Sequence, residues 1–267
     1  VLLRKSLTTV KGVDVFHAGY GYSLSADPTA HGTCYLLADR CPNYDVAKDT
    51  KAFVIPDFAP RFGRFKLEGG NLVQVAKIEI SDKDKKPLTG IPPMPGQGGT
   101  GETALDPAGA VLPSDAEGID PEGIAALKNG GFWISEEYGP SLLHLDRQGH
   151  TLQRYSPYTG GDHALPQLFK KRRANRGFEG VTALPDGKTL MAIFEAPLDR
   201  AGSEPEFTLG VGDTPYGILA AHRCALPVAA VLCGGFEREL LQKAEFLFDD
   251  VEGLVRKIDR IDVYFSE

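Results

Sequence analysis

Residues 121–140, PEGIAALKNGGFWISEEYGP, form the stretch that decides the fold. Within it the turn sequence Asn-Gly-Gly separates two short apolar segments, Ile-Ala-Ala-Leu and Phe-Trp-Ile. Two apolar segments around such a turn predict a β-hairpin. One acid, Glu122, stands near the start of this hairpin, and two more, Glu136 and Glu137, stand at its end.

The same pattern occurs three more times, in residues 22–41, 178–197 and 251–267. In each copy an acidic or polar residue opens the hairpin and an acid closes it 15 or 16 residues later. The four pairs are Ser23 with Asp39, Glu122 with Glu137, Glu179 with Glu195, and Glu252 with Glu267. Because a hairpin of this length returns to the side of the sheet where it began, each copy is expected to place two polar ends at one edge.

Further strands are predicted between these copies. Residues 62–78 predict a strand, a turn and a second strand, and residues 142–155 add a second hairpin to the one at 121–140. Four-stranded antiparallel units that repeat at tens of residues are typical of propeller blades. We therefore predict an all-β fold in which residues 1–267 form a single domain. This domain would be a β-propeller of about five to six four-stranded blades, with the last blade incomplete at the C-terminus.

Composition limits the classes of function. With 267 residues and 42% apolar content, the chain can bury a sizeable core. The net charge of −7 argues against a general nucleic-acid binder and is compatible with cation binding. Since no apolar run approaches the roughly 20 residues that cross a bilayer, we expect no membrane span.

The first residue and the cysteines bear on the compartment. The chain begins at Val1 and shows no leader of the signal type. We expect an exported protein, either periplasmic or secreted, whose leader is absent from this chain. Cys34, Cys41, Cys224 and Cys233 lack the spacing of a zinc site. Either a Cys224–Cys233 disulfide or buried free thiols fits these positions.

Five segments resemble the phytase-like family, which is described as esterase-like activity of phytase. They are LLADRCPN (36–43), PDFAPRFGRFKLEGG (56–70), PGQGGTGETALD (95–106), DPEGIAAL…FWISEEYGPSLLHLD (120–146) and NRGFEGVTALPDGKTL (175–190). The resemblance covers roughly residues 20–200, and the last sixty-odd residues depart from the family pattern. It implies a β-propeller, usually exported, with phosphoesterase activity.

The repeated acids predict a cation site. Carboxylates that meet at one end of a propeller repel one another unless a cation or protons intervene. Calcium suits such a site because it accepts about six to eight oxygen ligands at flexible geometry. The predicted ligands are Asp39, Glu122, Glu136, Glu137, Glu179, Glu195 and Glu252, with Glu102 as an outlying candidate.

The predicted partner is phosphate or a small phosphorylated molecule. Arg40, Arg176 and Tyr138 are the candidates for holding the free phosphate oxygens, and Glu137 and Glu179 are the candidates for catalysis. A metal-activated water would attack phosphorus in line, without a covalent nucleophile. The basic run KKRR at residues 170–173 is either a phosphate-steering patch or a solvated surface.

Three functions stay open at this point. The leading one is a calcium-dependent phosphoesterase. The second is a metal-dependent lactonase or sugar-ester hydrolase, which needs fewer basic residues beside its acids. In the third, the acids bind backbone amides of a neighbouring blade, and the propeller is a binding or scaffold protein without catalysis.

Overall fold

A computed structural model describes residues 6–10, 13–16, 19–184, 189–194, 209–223 and 226–257. Strands predominate in these residues, which confirms the mostly β-sheet class. No helix among them is both long enough and apolar enough to cross a membrane. The chain divides into two compact units, Val1–Leu198 and Asp199–Glu267, while a single domain over 1–267 stays a prediction.

The first unit is built almost entirely of strands. They are β1 (Ser6–Val10), β2 (Val13–Phe16), β3 (Ser23–Ala26), β4 (Thr33–Leu37), β5 (Asn43–Ala47), β6 (Thr50–Phe53), β7 (Arg61–Glu68), β8 (Asn71–Glu79), β9 (Thr103–Leu105), β10 (Pro121–Ala126), β11 (Phe132–Glu136), β12 (Ser141–Leu145), β13 (Thr151–Tyr155), β14 (Phe178–Ala183) and β15 (Leu190–Phe194). Two short 3₁₀ helices, Gly161–His163 and Gln167–Lys171, follow β13. The sheets are β1-β2, β3-β4-β7-β8, β5-β6-β9, β10-β11-β12-β13 and β14-β15.

The hairpins predicted in this unit are confirmed. Strands β3 and β4, β10 and β11, and β14 and β15 pair antiparallel, as the repeats at 22–41, 121–140 and 178–197 predicted. Strands β7 and β8 form the hairpin predicted at 62–78. The meander predicted from 121 to 155 is the four-stranded sheet β10-β11-β12-β13.

The main apolar core joins the two four-stranded sheets. Leu37 and Phe62 from one sheet belong to the same buried cluster as Ile124, Phe132 and Leu143 from the other. The rings of Phe62 and Phe132 lie 4.6 Å apart between centroids. Burial of these side chains fixes how the two sheets pack and therefore where their strand ends meet.

Serine hydroxyls connect the first strands of these two sheets. The amide of Ile124 in β10 donates to Oγ of Ser23 in β3 at 3.2 Å, and the amide of Ala126 donates to Oγ of Ser25 at 2.9 Å. Since β3 and β10 belong to different sheets, these bonds satisfy amides that the β10 ladder leaves unpaired. Ser23, which occupies the position of the first acid in the 22–41 repeat, therefore links two sheets through a hydrogen bond.

Adjacent first strands are typical of neighbouring propeller blades. Strand β10 contacts both β3 and β14, although the three belong to separate sheets. These sheets are small and open, and the described part of the chain does not show a closed ring. The propeller of about five to six blades stays a prediction.

The second unit has a different architecture. It contains β16 (Gly210–Gly212), α1 (Pro215–Arg223), β17 (Val228–Val231), β18 (Phe246–Phe248) and α2 (Val251–Arg256), with two 3₁₀ helices, Leu232–Gly234 and Arg238–Leu241, between β17 and β18. The three strands pair in parallel, in the order β16-β17-β18. Parallel strands need crossover connections, so this part is not the antiparallel blade that a propeller would place here.

The repeat predicted at 251–267 is wrong where the structure describes it. Residues Val251–Arg256 form a helix instead of a strand, and the amide of Gly253 donates to Oδ1 of Asp250 at 2.6 Å. An aspartate in this position is a helix N-cap, which stabilises the first turn. Residues 258–267, including Glu267, lie outside the described residues.

The described cysteines carry free thiols. Cys34 is half-buried, Cys41 is buried and Cys233 is exposed. The thiol of Cys41 donates to the carbonyl of Ile55 at 3.0 Å. Cys224, which the sequence offered as a disulfide partner of Cys233, lies outside the described residues.

Candidate functional site

Three carboxylates from two sheets of the first unit converge. Asp39 follows the end of β4, Asp120 immediately precedes β10, and Glu122 is the second residue of β10. Their potential ligand oxygens all lie within 4.8 Å of one another. Oxygen atoms this close could bind one cation together. The predicted metal site is supported to this extent, without identification of the ion.

The three acids line a polar pocket of about 440 Å³. Its wall also contains an acid from the 121–140 repeat, Glu137, an amide side chain, Asn175, and the partly exposed Tyr22. The complete lining is Tyr22, Asp39, Arg40, Cys41, Pro42, Asn43, Asp120, Glu122, Glu137 and Asn175. The pocket is therefore strongly acidic, with Arg40 as its basic residue among the described lining.

Bulges determine where Glu122 and Glu179 point. In the β10–β11 pair, Pro121 faces Glu136 and Gly123 faces Ser135, so Glu122 is an extra residue in β10. In the β14–β15 pair the same shift makes Glu179 the extra residue, between positions 178 and 180. A bulge re-aims a side chain away from the regular alternation of its strand. Both acid-glycine pairs of the sequence thus have the same local structure.

The glycines of these pairs allow the two strands to approach. A Cβ on Gly123 would lie only 2.9 Å from Cα of Gly180, so a larger residue would force β10 and β14 apart. This close packing places Glu122 and Glu179 near one another. The Glu179 charge is one of the causes that raise the pKa of Glu122.

Arg40 is buried beneath the pocket and is committed to other protein groups. Its Nη1 lies 3.1 Å from Asp120 and 3.5 Å from Glu102, and it also bonds the hydroxyl of Tyr138. Its guanidinium lies 5.0 Å from the centre of the Tyr138 ring. Burial alone would lower the pKa of Arg40, but Asp120, Tyr138 and Glu102 outweigh it and hold that pKa above its usual range.

Asp120 leaves one oxygen without a partner. The residue is 2% exposed, and Oδ1 has no hydrogen-bond donor among the described residues, while Oδ2 faces Arg40. Burial, reinforced by Asp39 and Glu137 and opposed by Arg40, raises the pKa of Asp120 well above its ordinary value. A cation at Oδ1 would supply the missing partner and offset the cost of burying this carboxylate.

The charged forms of Glu122 and Glu137 are also disfavoured. Burial and the charges of Asp120, Glu179 and Asp39 raise the pKa of Glu122 to about 9. Burial and the charges of Glu122 and Glu179 raise the pKa of Glu137 to about 7. Mutual repulsion of this kind is what a bound divalent cation relieves.

Glu136 has a structural position. It is fully buried, and its carboxylate accepts the amides of Asp120 (3.3 Å), Tyr138 (2.7 Å) and Gly139 (3.2 Å) and the Ser141 hydroxyl (2.9 Å). Both of its oxygens are thus used by the protein, and Glu136 is not part of the pocket lining. By accepting the amide of Asp120, Glu136 holds the backbone of this pocket acid in place.

The other residues predicted for the site do not line the pocket where the structure describes them. Tyr138 is fully buried. Its hydroxyl donates to the carbonyl of Gly90 at 2.8 Å and accepts a bond from Arg40, so Tyr138 helps to position Arg40. Arg176 is exposed and lowers the pKa of Glu179, whose burial raises it. Glu252 lies in helix α2 of the second unit, where it pairs with Arg256. Glu195 lies outside the described residues.

Two other predicted features also have structural partners. Glu102 pairs with Arg40 and with Lys51, which is 3.7 Å away, so the loop that carries it anchors the base of the pocket. In the basic run, Arg172 is half-buried and donates to the carbonyl of Gly98 at 2.7 Å. Lys170 lies 5.0 Å from the centre of the Tyr158 ring.

The sequence analysis missed Asp120, Asn175 and Tyr22. The signal that could have identified Asp120 is its position as an acid two residues before Glu122. Asn175 and Tyr22 offer no comparable signal, since neither belongs to a repeated acid position. Their place in the pocket depends on contacts between distant parts of the chain.

The comparisons with known proteins agree with the resemblance drawn from the sequence. A relative from Arthroderma benhamiae, described as an uncharacterized secreted protein, is 30% identical over 159 residues. That match covers 46% of this chain and 30% of the relative, so the chain spans less than a third of the relative's length. The family model for esterase-like activity of phytase matches residues 26–224, which extends past position 200. The chain therefore belongs to the phytase-like family.

Proposed function

We propose that this protein is a phytase-like hydrolase, a calcium-dependent phosphoesterase that cleaves phosphate monoesters with water. The observation that carries the proposal is the convergence of three carboxylates, those of Asp39, Asp120 and Glu122, in one pocket, where Oδ1 of Asp120 has no donor among the described residues. Calcium prefers oxygen ligands, and carboxylates are among the commonest of these in proteins. Family membership supports a hydrolase of the phytase-like kind.

Charge also favours a cation in the pocket. Its lining contains four acids, Asp39, Asp120, Glu122 and Glu137, while the positive charge of Arg40 is already paired. In their ionised forms these carboxylates would repel a phosphate group. Divalent cations held by Asp39, Asp120 and Glu122 would make the site attractive to phosphate.

The residues of the pocket have distinct roles in this proposal. Calcium, when bound, supplies an activated water for in-line attack on phosphorus and stabilises the developing negative charge. Glu137 lies on the wall of the same pocket, where its carboxylate can accept a proton from the attacking water. Arg40, which Tyr138 bonds, fixes one oxygen of Asp120, and the charge of Glu179 in β14 acts on Glu122 and Glu137.

One observation favours a second candidate, a metal-dependent lactonase or sugar-ester hydrolase. A phosphate site needs several cationic side chains, whereas the described pocket lining offers only Arg40, which is 6% exposed and committed to Asp120 and Glu102. A carboxylic ester develops one negative charge in its transition state, and a single divalent cation can stabilise it.

Export is part of the proposal. It rests on the description of the Arthroderma benhamiae relative as a secreted protein. We further infer that the partner is a small phosphorylated molecule, in keeping with the family. Expression of the full natural gene in its own host, followed by immunoblotting of cell and medium fractions, tests export; retention inside the cytoplasm would contradict it.

The decisive experiment measures cation binding first and turnover second. Thermal unfolding is recorded in excess EDTA and then with added calcium, for the wild type, Glu122→Gln and Glu137→Gln. We expect calcium to raise the melting temperature of the wild type and to raise it less in both variants. Exposed Glu68→Gln, on the β7–β8 turn, is the matched control and keeps the wild-type response.

Turnover then separates the candidate functions. Calcium-dependent release of p-nitrophenol from p-nitrophenyl phosphate supports the phosphoesterase, and calcium-dependent opening of a lactone without phosphatase activity supports the second candidate. If calcium changes neither stability nor turnover, the acids are structural and the protein is a binding or scaffold protein. That last result would refute the proposed hydrolase.

A further inference from the structure

Asn175 adopts a backbone conformation that directs it to the pocket. Its φ is +52°, in the left-handed region that few side chains other than asparagine and aspartate tolerate. It lies in the loop before β14, and it lines the pocket with Asp39, Asp120 and Glu122. The left-handed turn therefore occurs where the chain passes the cluster of acids.

Gly177 holds this loop against the pocket. A Cβ at position 177 would overlap the carbonyl oxygen of Glu137, so the loop lies directly on the backbone of a pocket residue. Only glycine allows a contact this close. Asn175, two residues earlier, is consequently fixed beside the pocket by a backbone contact as well as by its own conformation.

The side-chain oxygen of Asn175 lacks a donor. Its Oδ1 is buried and has no hydrogen-bond partner among the described residues, a condition it shares with Oδ1 of Asp120. A buried oxygen without a hydrogen-bond donor destabilises the folded protein. Asn175 and Asp120 both line the acidic pocket, and a cation bound there could give each of these two oxygens a partner.

We propose that Asn175 is a further ligand of the cation, and that its Oδ1 completes the oxygen set of Asp39, Asp120 and Glu122. The inference rests on the proposed cation site and deepens it. Amide oxygens are ordinary calcium ligands, and a neutral ligand raises the coordination number without adding charge to a crowded cluster of acids.

The added ligand favours calcium over magnesium. Calcium takes about six to eight ligands with flexible geometry, whereas magnesium requires a compact octahedron and keeps several waters. Loss of one protein oxygen therefore costs calcium more than magnesium. Asn175 is in this sense a specificity-determining residue of the site.

The test is calorimetric titration with calcium and, separately, with magnesium. Asn175→Gly removes the oxygen and keeps the left-handed backbone at no steric cost. We expect its calcium affinity to fall roughly tenfold or more, with a smaller fall for magnesium. Asn175→Asp keeps an oxygen at the same position, so it is expected to bind calcium at least as tightly as the wild type.

Two controls separate this inference from the cation site itself. Asp49→Gly changes another residue with φ of +52°, on the β5–β6 turn, and should leave calcium binding unchanged. If Glu122→Gln weakens calcium binding and Asn175→Gly does not, the cation site stands and the role of Asn175 is refuted. If neither weakens it, both are refuted. Should Asn175→Gly fail to fold, weaker calcium binding by Asn175→Asp than by the wild type would refute the role.

Discussion

Arg40 lies 3.1 Å from Oδ2 of Asp120, and this contact leaves Oδ1 of the same carboxylate without a donor among the described residues. Asp120, which lines the pocket, therefore has one oxygen fixed by Arg40 and a second, buried oxygen that a cation could bind. Because Arg40 also pairs with Glu102, the orientation of Asp120 depends on three distant segments of the chain.

Arg40→Met is expected to destabilise the protein strongly. It would leave Asp120 and Glu102 buried without their cation, and breaking a buried pair in this way costs about 3–5 kcal/mol. Urea unfolding followed by tryptophan fluorescence measures the loss. Lys66→Met breaks the exposed pair of Lys66 with Glu68 and should cost about 0–1 kcal/mol. Equal losses in the two variants would contradict the burial argument.

Gly177→Ala is expected to disturb the pocket wall. The new methyl group would overlap the carbonyl oxygen of Glu137, so the backbone must move, at a cost of about 1–3 kcal/mol. Gly180→Ala, three residues further on, meets nothing within 4 Å and should change stability by no more than about 0.5 kcal/mol. Urea midpoints of the two variants are compared directly; a Gly177→Ala protein as stable as the wild type would show that the loop does not press on Glu137.

Asp27→Asn is expected to have a pH-dependent effect. Burial alone would raise the pKa of Asp27, but bonds from Thr29 and Arg64 outweigh it and lower that pKa. A lowered pKa contributes stability above the unfolded value of about 3.9, and that stability is lost as the pH falls through the lower folded value. The variant should therefore lose about 1–3 kcal/mol at pH 7 and much less near pH 3.

The measurement for Asp27 is the urea midpoint as a function of pH. The pair of Asp45 with Lys51 provides the comparison, because Asp45 is largely exposed and its contribution is screened by water. Asp45→Asn should leave the midpoint nearly unchanged over the same range. A loss in Asp27→Asn that is the same at pH 3 and pH 7 would show that the ionised carboxylate is not what stabilises this site.

Ser25→Ala is expected to weaken the junction between β3 and β10. The amide of Ala126 would lose its acceptor, which costs about 1 kcal/mol for a hydrogen bond of this kind. Thermal unfolding of Ser25→Ala is compared with that of Ser114→Ala, an exposed serine in the loop before β10. If both serines are equally dispensable, the inter-sheet bonds do not contribute to stability.

The hairpins could be predicted because their signals are local. The Asn-Gly-Gly turn of 129–131 and the apolar residues around it specify β10 and β11 without reference to the rest of the chain. The same holds for the β7–β8 hairpin. The helix at 251–256 was mistaken for a strand because its Glu-Gly pair matched the repeat, although Asp250 before it is a helix-capping residue.

The pocket could be predicted only in part, for a physical reason. The sequence pattern identified acids such as Glu122 and Glu137 as candidates, but it could not distinguish them from Glu136, whose carboxylate is used by backbone amides. That distinction depends on which way each side chain faces after folding. Asp120 and Asn175 were not among those candidates, because their roles depend on contacts of Arg40 and Gly177 that arise only in the folded chain.

The bulges at Glu122 and Glu179 have a consequence for evolution. A bulge residue belongs to neither face of its strand, so Ile124 and Ala125 can fill the protein interior on both sides of β10 while position 122 takes no part in that packing. Substitutions at 122 and 179 can therefore change what the protein binds without weakening the interior. Related proteins can diversify their ligands at these two positions and retain the same strands.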